Sequence, residues 1–344
     1  MELVKIGITM GDPAGVGPET IVKTVTQLEI NKPRPCAQGR DKSSPYTQGL
    51  DKLGKILVIG DRWVFNKVLR RTSHVSGIEF IDLKNVPRRN FSFGKVKKEY
   101  GQAAIGYLKK AVELIKRRQI DCLVTAPISK EAINLAGYKY NGHTEFLAKA
   151  FNKKKQDLVM MLLNKYIKIS LVTRHLALGK VSSALDEKAI YKTILITYKA
   201  LLDYFAIKHP RICVAALNPH AGEGGLLGKE EIKMIVPAVK RARRLMKNLA
   251  GPLPADSAFS AAKQGQFDAV VAMYHDQALI PLKILDFASG VNLTLGLGFV
   301  RTSPLHGTGF DIAGKNIASN ASLVAALKTA VECTLNLRKV RKSS

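Results

Sequence analysis

Short apolar runs rich in β-branched residues alternate along this chain with longer amphipathic segments. The runs are VKIGITM, KILVIG, IEFID, DCLVTAP, DLVMMLL, IKISLVT, RICVAALN, DAVVAMY and VNLTLGL. Strands separated by helix-length segments are typical of βαβ units, in which the strands lie parallel. The sequence therefore predicts an α/β fold built on mostly parallel sheets.

The longer segments carry the periodicity of amphipathic helices. Residues 229–248, KEEIKMIVPAVKRARRLMKN, place apolar side chains at steps of three and four, and Pro237 predicts a kink among them. Residues 319–338 predict a closing helix that has Ser319 or Asn320 as its N-cap. No internal repeat at a fixed period is visible, so solenoids and propellers are not expected.

The composition restricts the class of protein. A chain of 344 residues, 46% of them hydrophobic, is long enough to bury the cores of two subdomains. It has no apolar run long enough for a membrane span and no signal-peptide pattern at its start, so we expect a cytoplasmic protein without a membrane partner. The four cysteines are widely scattered, which argues against a disulfide framework and a thiolate zinc site.

The charge of the chain is strongly positive. There are 54 Lys and Arg residues against 27 Asp and Glu, a formal net charge of +27. Such a charge attracts phosphate, either on nucleic acid or on small anionic substrates. The cations are spread along the whole chain and do not gather on a recognisable nucleic-acid-binding motif. A solvated basic surface is the favoured interpretation, and a basic nucleic-acid-binding protein without catalysis is the alternative from another class.

Three histidines follow the carboxyl ends of three predicted strands. His175 comes after IKISLVTR, His220 after RICVAALNP and His275 after DAVVAMY. These ends form the ligand-binding edge of an open α/β sheet, so the three imidazoles can converge on one point. Three neutral imidazoles with an open fourth position bind a catalytic divalent metal, for which zinc is the usual ion. Asp276 can orient the His275 ring, and a structural hydrogen-bonding role for any single histidine stays open.

Glycine-rich turns after predicted strands are candidate anion sites. ITMGDPAGVGPET runs from a strand into a helix, but its glycine spacing is not GxGxxG, and HAGEGGLLGKEE fails as a P-loop. NGHTEF places His143 and Thr144 at the start of a helix, which suits a phosphate or carboxylate; an ordinary N-cap by Thr144 is the alternative. HGTGFDIAGKN predicts an irregular loop that can approach a flat ring closely.

Motifs along nearly the whole chain carry a resemblance to a known family. In order they are ITMGDPAGVGPE, TAPISKE, NGHTEFLA, LNPHAGEGG, GPLPADS, YHDQ, VNLTLGL and RTSPLHGTGFDIAGK. The chain resembles the 4-hydroxythreonine-4-phosphate dehydrogenases of pyridoxal phosphate biosynthesis. The resemblance implies two α/β/α subdomains like those of isocitrate and isopropylmalate dehydrogenases, and a homodimer whose subunits share each active site.

The resemblance also implies a division of the chain. Residues 1–135 with 291–344 would form the nucleotide-side subdomain, and residues 136–290 the subdomain for metal, substrate and dimerisation. Residues 31–54 are rich in Pro, Gly, Ser, Gln and Lys without a sustained period, so they predict a flexible surface insertion into the first subdomain.

Individual site residues follow from the matching motifs. The implied metal ligands are His175, His220 and His275. The implied contacts to a phosphorylated substrate are His143, Thr144, Lys283, Asn292 and Arg301. The implied contacts to the adenine and ribose side of NAD or NADP are His306, Gly307, Thr308 and Asp311. The candidates for the base that accepts the hydroxyl proton are Asp256, Asp276 and Lys130.

The implied activity is that of an NAD(P)-dependent oxidative decarboxylating dehydrogenase. It would oxidise 4-phosphohydroxy-L-threonine at C3 and release 3-amino-2-oxopropyl phosphate after decarboxylation. It would use one divalent metal per active site, with zinc expected and magnesium or cobalt as alternatives. A related dehydrogenase acting on erythronate or threonate phosphate is the second interpretation.

Several positions depart from the family pattern. Arg174 and Ala177 replace the usual Thr and Pro around His175, and Leu305 replaces the usual Asp before His306. Ala278, Gly298 and Gly309 also replace familiar residues. A cation pointing at His175 would weaken metal binding, and a missing carboxylate near the nucleotide would alter cofactor preference.

Overall fold

A computed structural model of the chain describes residues 3–30, 52–69 and 77–343. The predicted insertion therefore lies outside the described residues, except for its last three. Residues 53 and 54 already belong to a strand, so strand structure begins two residues earlier than the sequence predicts.

Each apolar run predicted as a strand forms one. In chain order the strands of the described residues are β1 (Val4–Thr9), β2 (Leu53–Gly60), β3 (Ile78–Asp82), β4 (Cys122–Thr125), β5 (Val159–Leu163), β6 (Lys168–Leu171), β7 (Ile212–Ala215), β8 (Leu249–Leu253), β9 (Ala269–Ala272), β10 (Val291–Leu295) and β11 (Val300–Pro304). Strands β8 and β11 were not predicted, because LAGPL and VRTSP contain Gly, Pro or Arg and lack an apolar run.

Helices connect most of the strands. In chain order they are α1 (Gly17–Ile30), α2 (Arg62–Val68), α3 (Lys98–Lys116), α4 (Lys130–Leu135), α5 (His143–Ala150), α6 (Val181–Ala184), α7 (Glu187–Asp203), α8 (Val236–Arg243), α9 (Ala255–Lys263), α10 (His275–Asp286) and α11 (Ala321–Ser343). A π-helical turn at Glu231–Ile235 leads into α8, which places Pro237 in the first turn of α8, where its missing N–H is tolerated. Ser319 Oγ accepts the N–H of Ala321 at the start of α11. Among the described residues, no helix is long and apolar enough to cross a membrane.

The chain forms two compact units. The first comprises Met1–Asn152 with Phe299–Leu335, and the second Lys153–Gly298 with Asn336–Ser344. These limits differ from those predicted at residues 135 and 290. The segment up to residue 152 stays with the first unit because the Phe151 ring packs on Phe299, with centroids 4.7 Å apart. The segment from residue 291 stays with the second because β10 pairs with β5.

The first unit contains a parallel sheet in the strand order β3-β2-β1-β4-β11. Helix α3 covers it with a buried stripe that includes Tyr107 and Leu108. Gly101 lets α3 approach α4 closely, since a Cβ there would lie 2.1 Å from the carbonyl oxygen of Ala132. All carboxyl ends of a parallel sheet meet at one edge, and Thr9 and Thr125 are paired there.

The second unit contains a mixed sheet in the strand order β10-β5-β6-β9-β7-β8. The pairs of β5 with β10 and β6 are antiparallel, and β6, β9, β7 and β8 run parallel. Its core packs α7 and α8 on these strands through fully buried side chains such as Ile190, Ile235, Ile212 and Val271. The prediction of an α/β fold with mostly parallel sheets is confirmed.

Candidate active site

The three predicted metal ligands lie after the carboxyl ends of adjacent strands in the second unit. His175 follows β6, His275 begins α10 after β9, and His220 lies in the turn Pro219–Gly225 after β7. Because β6, β9 and β7 are neighbours in the sheet, the loops that follow them start side by side. The ring centroids of His175 and His275 are 5.3 Å apart, so the structure brings these two imidazoles together.

The pair of imidazoles fits the nitrogen ligation of a divalent metal. Across residues 3–30, 52–69 and 77–343, however, no group of three His, Cys, Asp or Glu side chains is close enough to hold a metal ion. His220 therefore does not join the other two histidines within this chain. Its role as a third ligand stays a prediction.

The side chain of Asp276 contacts the ring of His275. Oδ1 of Asp276 lies 2.7 Å from Nδ1 of His275, although the residues are adjacent in sequence. A carboxylate on Nδ1 holds the proton there and leaves Nε2 with a lone pair for a metal. Asp276 was also a candidate base, and that role stays a prediction.

The backbone that carries His220 is left-handed. Five consecutive residues from His220 to Gly224 have φ between +44° and +80°. Three of them are not glycine, and each such residue costs about 1–2 kcal/mol in this conformation. His175 also has a positive φ, +47°. Backbone strain of this kind persists only where its surroundings enforce it, and it is concentrated at functional sites.

A buried glutamate fixes the start of the left-handed turn. Glu231 is 2% exposed, and its Oε1 accepts the N–H groups of Leu217 and Asn218, both at 2.8 Å. Its Oε2 accepts Nδ2 of Asn218 at 2.9 Å. Gly222 is required here because a Cβ would lie 2.7 Å from Oε2 of Glu231. Glu231 was not predicted as a site residue, since a glutamate at the start of an amphipathic pattern resembles a surface residue.

The Arg174 guanidinium contacts the backbone of a neighbouring turn. Its Nη2 donates to the carbonyl oxygen of Lys155 at 3.3 Å, in the short 3-10 turn before β5. At Leu305, the other notable departure, the backbone N–H donates to Oγ of Ser322 at 2.9 Å.

In the first unit, His143 and Arg301 lie close together. His143 is the first residue of α5, as predicted, and Gly142 precedes it with φ of +140°. Arg301 lies in β11, is 2% exposed, and its Nη2 donates to Oγ1 of Thr125 at 2.5 Å. A buried cation beside a helix start is a strong anion-binding arrangement, because both the charge and the free N–H groups attract the ligand.

The electrostatics of this pair follow from burial. Burial lowers the pKa of His143 well below its usual value, the charge of Arg301 lowers it further, and a hydrogen bond with the backbone of Ala126 opposes both. Burial also lowers the pKa of Arg301 to about 9. Nε2 of His143 is buried without a hydrogen-bond partner among the described residues. A bound anion would offset the desolvation of the Arg301 guanidinium.

The remaining predicted substrate and base residues belong to both units. Thr144 follows His143 in the first turn of α5. Lys130 begins α4, and its Cε lies 4.0 Å from the position of a Cβ on Gly142. In the second unit, the Lys283 ammonium lies 5.3 Å from the ring centroid of Phe287, Oδ1 of Asn292 is buried without a partner among the described residues, and Asp256 is exposed in the first turn of α9.

The predicted cofactor loop packs on the glycine-rich turn after β1. The N–H of Val16 donates to the carbonyl oxygen of Thr308 at 2.8 Å. A Cβ on Gly15 would lie 2.9 Å from that same oxygen, so glycine is needed for this approach. His306, whose Nδ1 lies 2.9 Å from the carbonyl oxygen of Gly307, is partly buried, and Asp311 is exposed. Gly15 thus serves the packing of this loop.

A buried ion pair anchors the far end of the same loop. Glu19, in α1, is 2% exposed and accepts the N–H groups of Asn316 and Ala318 at 3.1 and 2.8 Å. Lys23 pairs with Glu19 at 3.0 Å and donates to the carbonyl oxygens of the same two residues. Helix α1 therefore holds the loop at Asn316 and Ala318.

The glycine-rich turn after β1 contains a buried carboxyl group that was not predicted from the sequence. Asp12 is fully buried, its Oδ1 accepts the N–H of Ala14 at 2.9 Å, and its Oδ2 has no partner among the described residues. Burial raises its pKa from 3.8 to about 7, while the hydrogen bond from Ala14 opposes the shift. In the sequence, Asp12 and Pro13 follow a buried strand. An Asp-Pro pair at that place is typical of a turn.

Known proteins resemble this chain over its whole length. A family model described as pyridoxal phosphate biosynthetic protein PdxA matches residues 52–330. A 4-hydroxythreonine-4-phosphate dehydrogenase of Sulfurihydrogenibium sp. is 39% identical over 340 residues, which cover 99% of this chain and 100% of the relative. A putative D-threonate 4-phosphate dehydrogenase of Oceanobacillus iheyensis is 41% identical over 332 residues, covering 95% of this chain and 97% of the relative.

Solved structures also resemble this chain. The 4-hydroxythreonine-4-phosphate dehydrogenase of Klebsiella pneumoniae is 33% identical with a TM-score of 0.80, covering 97% of this chain and 98% of that one. A terephthalate 1,2-cis-dihydrodiol dehydrogenase of Burkholderia xenovorans is 28% identical with a TM-score of 0.64, covering 96% of this chain and 98% of that one. The family expected from the motifs is confirmed: the chain belongs to the family of the pyridoxal phosphate biosynthetic protein PdxA.

Proposed function

We propose that this chain is an NAD(P)-dependent dehydrogenase of pyridoxal phosphate biosynthesis that oxidises 4-phosphohydroxy-L-threonine at C3. Decarboxylation then yields 3-amino-2-oxopropyl phosphate. The observation that carries the proposal is the His175–His275 pair at adjacent strand ends in a member of this family. The dehydrogenase names of full-length relatives near 40% identity support it.

The first unit would bind the phosphate of the substrate. Arg301 supplies a buried positive charge with planar donors, which suits bidentate contact with a phosphate. His143 and Thr144 supply the first N–H groups of α5 beside that charge. Lys283 and Asn292 are further proposed substrate contacts. His306, Gly307, Thr308 and Asp311 would contact the nucleotide.

The second unit would hold the divalent metal, proposed to be zinc, through His175 and His275, with His220 as the predicted third ligand. A bound divalent metal supplies Lewis-acid polarisation of the C3 hydroxyl. Asp276 would hold the His275 ring in the tautomer that presents Nε2. Asp256, Asp276 and Lys130 remain our candidates for the base.

We place the completion of this metal site in a homodimer. Within the described part of the chain, His220 is not brought into a three-ligand group with the other histidines, so a ligand from a second copy would complete it. Helix α10, which begins at His275, exposes Ile280 and Ile284 at 60% and 79%, and Phe287, directly after the helix, is 48% exposed. Exposed apolar side chains at helical spacing favour burial against another subunit.

A second candidate substrate is D-threonate 4-phosphate. The relative from Oceanobacillus iheyensis carries that name at 41% identity, as similar to this chain as the hydroxythreonine-phosphate enzymes. The two substrates differ at C2, where one carries an amine and the other a hydroxyl. The phosphate contacts proposed above would serve both.

The decisive experiment compares the two substrates in one assay. The purified chain is loaded with zinc, and NADH formation is measured with 4-phosphohydroxy-L-threonine and with D-threonate 4-phosphate, before and after chelation. We expect the amino acid substrate to have the higher kcat/KM, with turnover lost on chelation and restored by a divalent ion. A preference for D-threonate 4-phosphate would support the second candidate, and the absence of turnover on both would contradict the proposal.

A further inference from the structure

We infer that Gln277, acting with Thr173, is a positioning residue that sets the relative placement of the three histidine-bearing strand ends. This inference rests on the proposed metal-binding function of the histidines. Gln277 belongs to the YHDQ motif and follows His275 by two residues, but nothing in the proposed reaction uses it. Its amide is buried in the first turn of α10, with the residue 8% exposed.

The amide of Gln277 connects two strand ends. Its Oε1 accepts the N–H of Met273 at 2.7 Å, and its Nε2 donates to the carbonyl oxygen of Ala216 at 2.7 Å. Met273 follows β9 and precedes His275 by two residues. Ala216 follows β7 and precedes His220 by four residues. The side chain therefore ties the segment that leads to one histidine to the segment that leads to another.

Thr173 connects the third strand end to the same point. Its Oγ1 donates to the carbonyl oxygen of Met273 at 2.7 Å, and its backbone N–H donates to the same oxygen at 3.1 Å. Thr173 lies two residues before His175 and is 8% exposed. Both backbone groups of Met273 are thus held, one by Gln277 and one by Thr173.

These contacts lie where the regular sheet pairing stops. The β6–β9 register ends at the pair Leu171 and Ala272, and the β7–β9 register ends at Val214 and Val271. Beyond those pairs the strands need other hydrogen bonds to remain at a fixed separation. The Gln277 amide supplies them across the β7–β9 gap, at the residues from which the histidine loops depart.

To make both hydrogen bonds, the side chain needs one acceptor and one donor at the length of glutamine. A glutamate would accept the N–H of Met273 but would face the carbonyl oxygen of Ala216 with a second acceptor. A methionine would fill the same volume and make neither hydrogen bond. A displaced strand end moves a metal ligand by the same amount, and ligand placement of this kind controls metal affinity.

The test measures metal affinity, which requires no turnover. Zinc affinity is determined by competition with a chromophoric chelator for the wild type, Gln277→Met, Gln277→Glu, Thr173→Val and Thr173→Ser. We expect about a tenfold or larger loss for the first three variants. We expect Thr173→Ser, which keeps the hydroxyl donor, to retain near-wild-type affinity. Gln266→Met is the matched control, because Gln266 is an exposed glutamine of the same unit.

Thermal unfolding of the metal-free proteins separates positioning from general stability. Affinity is compared only well below each melting temperature, where every variant is folded. Equal zinc affinity in wild type and Gln277→Met would overturn the inference, even if Gln277→Met melted earlier, because that result describes a purely structural residue. A wild type that binds no zinc would instead contradict the proposed function and, with it, this role of Gln277.

Discussion

Oδ1 of Asp276 lies 2.7 Å from Nδ1 of His275, so the carboxylate and the imidazole form a hydrogen-bonded pair at the start of α10. The contact places the imidazole proton on Nδ1, where it faces Asp276. Nε2 then keeps its lone pair for metal binding. Partners of metal-bound histidines typically contribute 10- to 100-fold in metal affinity. Asp276→Ala should therefore weaken zinc binding by about tenfold or more, as measured by chelator competition. Asp276→Asn keeps an acceptor for Nδ1–H and should lose less; equal affinity in wild type and Asp276→Ala would contradict the assignment.

The left-handed turn offers a matched pair of glycines. Gly222 and Gly224 have φ of +80° and +66°, but only a Cβ on Gly222 would collide with another residue, at 2.7 Å from Oε2 of Glu231. Gly224→Ala should cost about 1–2 kcal/mol in the free energy of unfolding, from backbone strain alone. Gly222→Ala should cost more, because it also displaces the buried carboxylate. Urea unfolding of both variants measures the difference, and equal losses would show that the Glu231 contact contributes nothing.

Asp12 should make stability depend on pH. Burial raises its pKa in the folded chain from 3.8 to about 7, so the folded state holds the proton more tightly than the unfolded state. The stability that the protonated Asp12 contributes is fully present below pH 3.8 and is lost as pH rises through about 7. The free energy of unfolding should fall between these values with a slope of at most about 1.4 kcal/mol per pH unit from this group.

Asp12→Asn isolates that contribution. The amide has the shape of the protonated carboxyl and does not titrate, so the variant should lose this part of the pH dependence. Urea unfolding at pH 5 and pH 8 gives the comparison: the stability of Asp12→Asn relative to the wild type should rise with pH. A constant difference between the two proteins would mean that Asp12 ionises normally in the folded chain.

Arg301 should control affinity for the phosphate of the substrate. Arg301→Lys keeps a cation but loses the planar pair of donors, so we expect KM for the phosphorylated substrate to rise by about tenfold or more. Thr125→Val removes only the hydroxyl that the guanidinium contacts at 2.5 Å and should have a smaller effect. Steady-state kinetics at saturating NAD measure both variants. An unchanged KM for Arg301→Lys would remove Arg301 from the proposed substrate site.

The exposed face of α10 should determine the oligomeric state. Ile284 is 79% exposed there, and Ile284→Asp would place a charge in the proposed subunit interface. We expect this variant to shift from dimer to monomer in sedimentation equilibrium, with a loss of zinc affinity. Leu245→Asp is the control, because Leu245 is 64% exposed after the end of α8. A wild-type monomer, or a dimeric Ile284→Asp, would contradict the proposed interface.

Local patterns predicted most of the strands and several element ends. The apolar, β-branched runs predicted nine of the strands. The polar segment NGHTEF predicted that α5 begins at His143. Strands β8 and β11 lack such a pattern; β11 is nonetheless fully buried, with Arg301 inside it. Its position depends on pairing with β4, at Arg301 with Leu123, a contact between segments far apart in sequence.

The sequence by itself determined the family, the fold class and the presence of histidines after three strands, since these depend on residue type and local order. Only the tertiary structure decided which of those groups meet. It paired His175 with His275 but left His220 on a separate left-handed turn. It also assigned supporting roles to Gln277, Thr173 and Glu231. The hydrogen bonds involved join residues 61 and 100 positions apart for Gln277 and Thr173, and no local pattern can encode a contact that depends on how distant strands are ordered in a sheet.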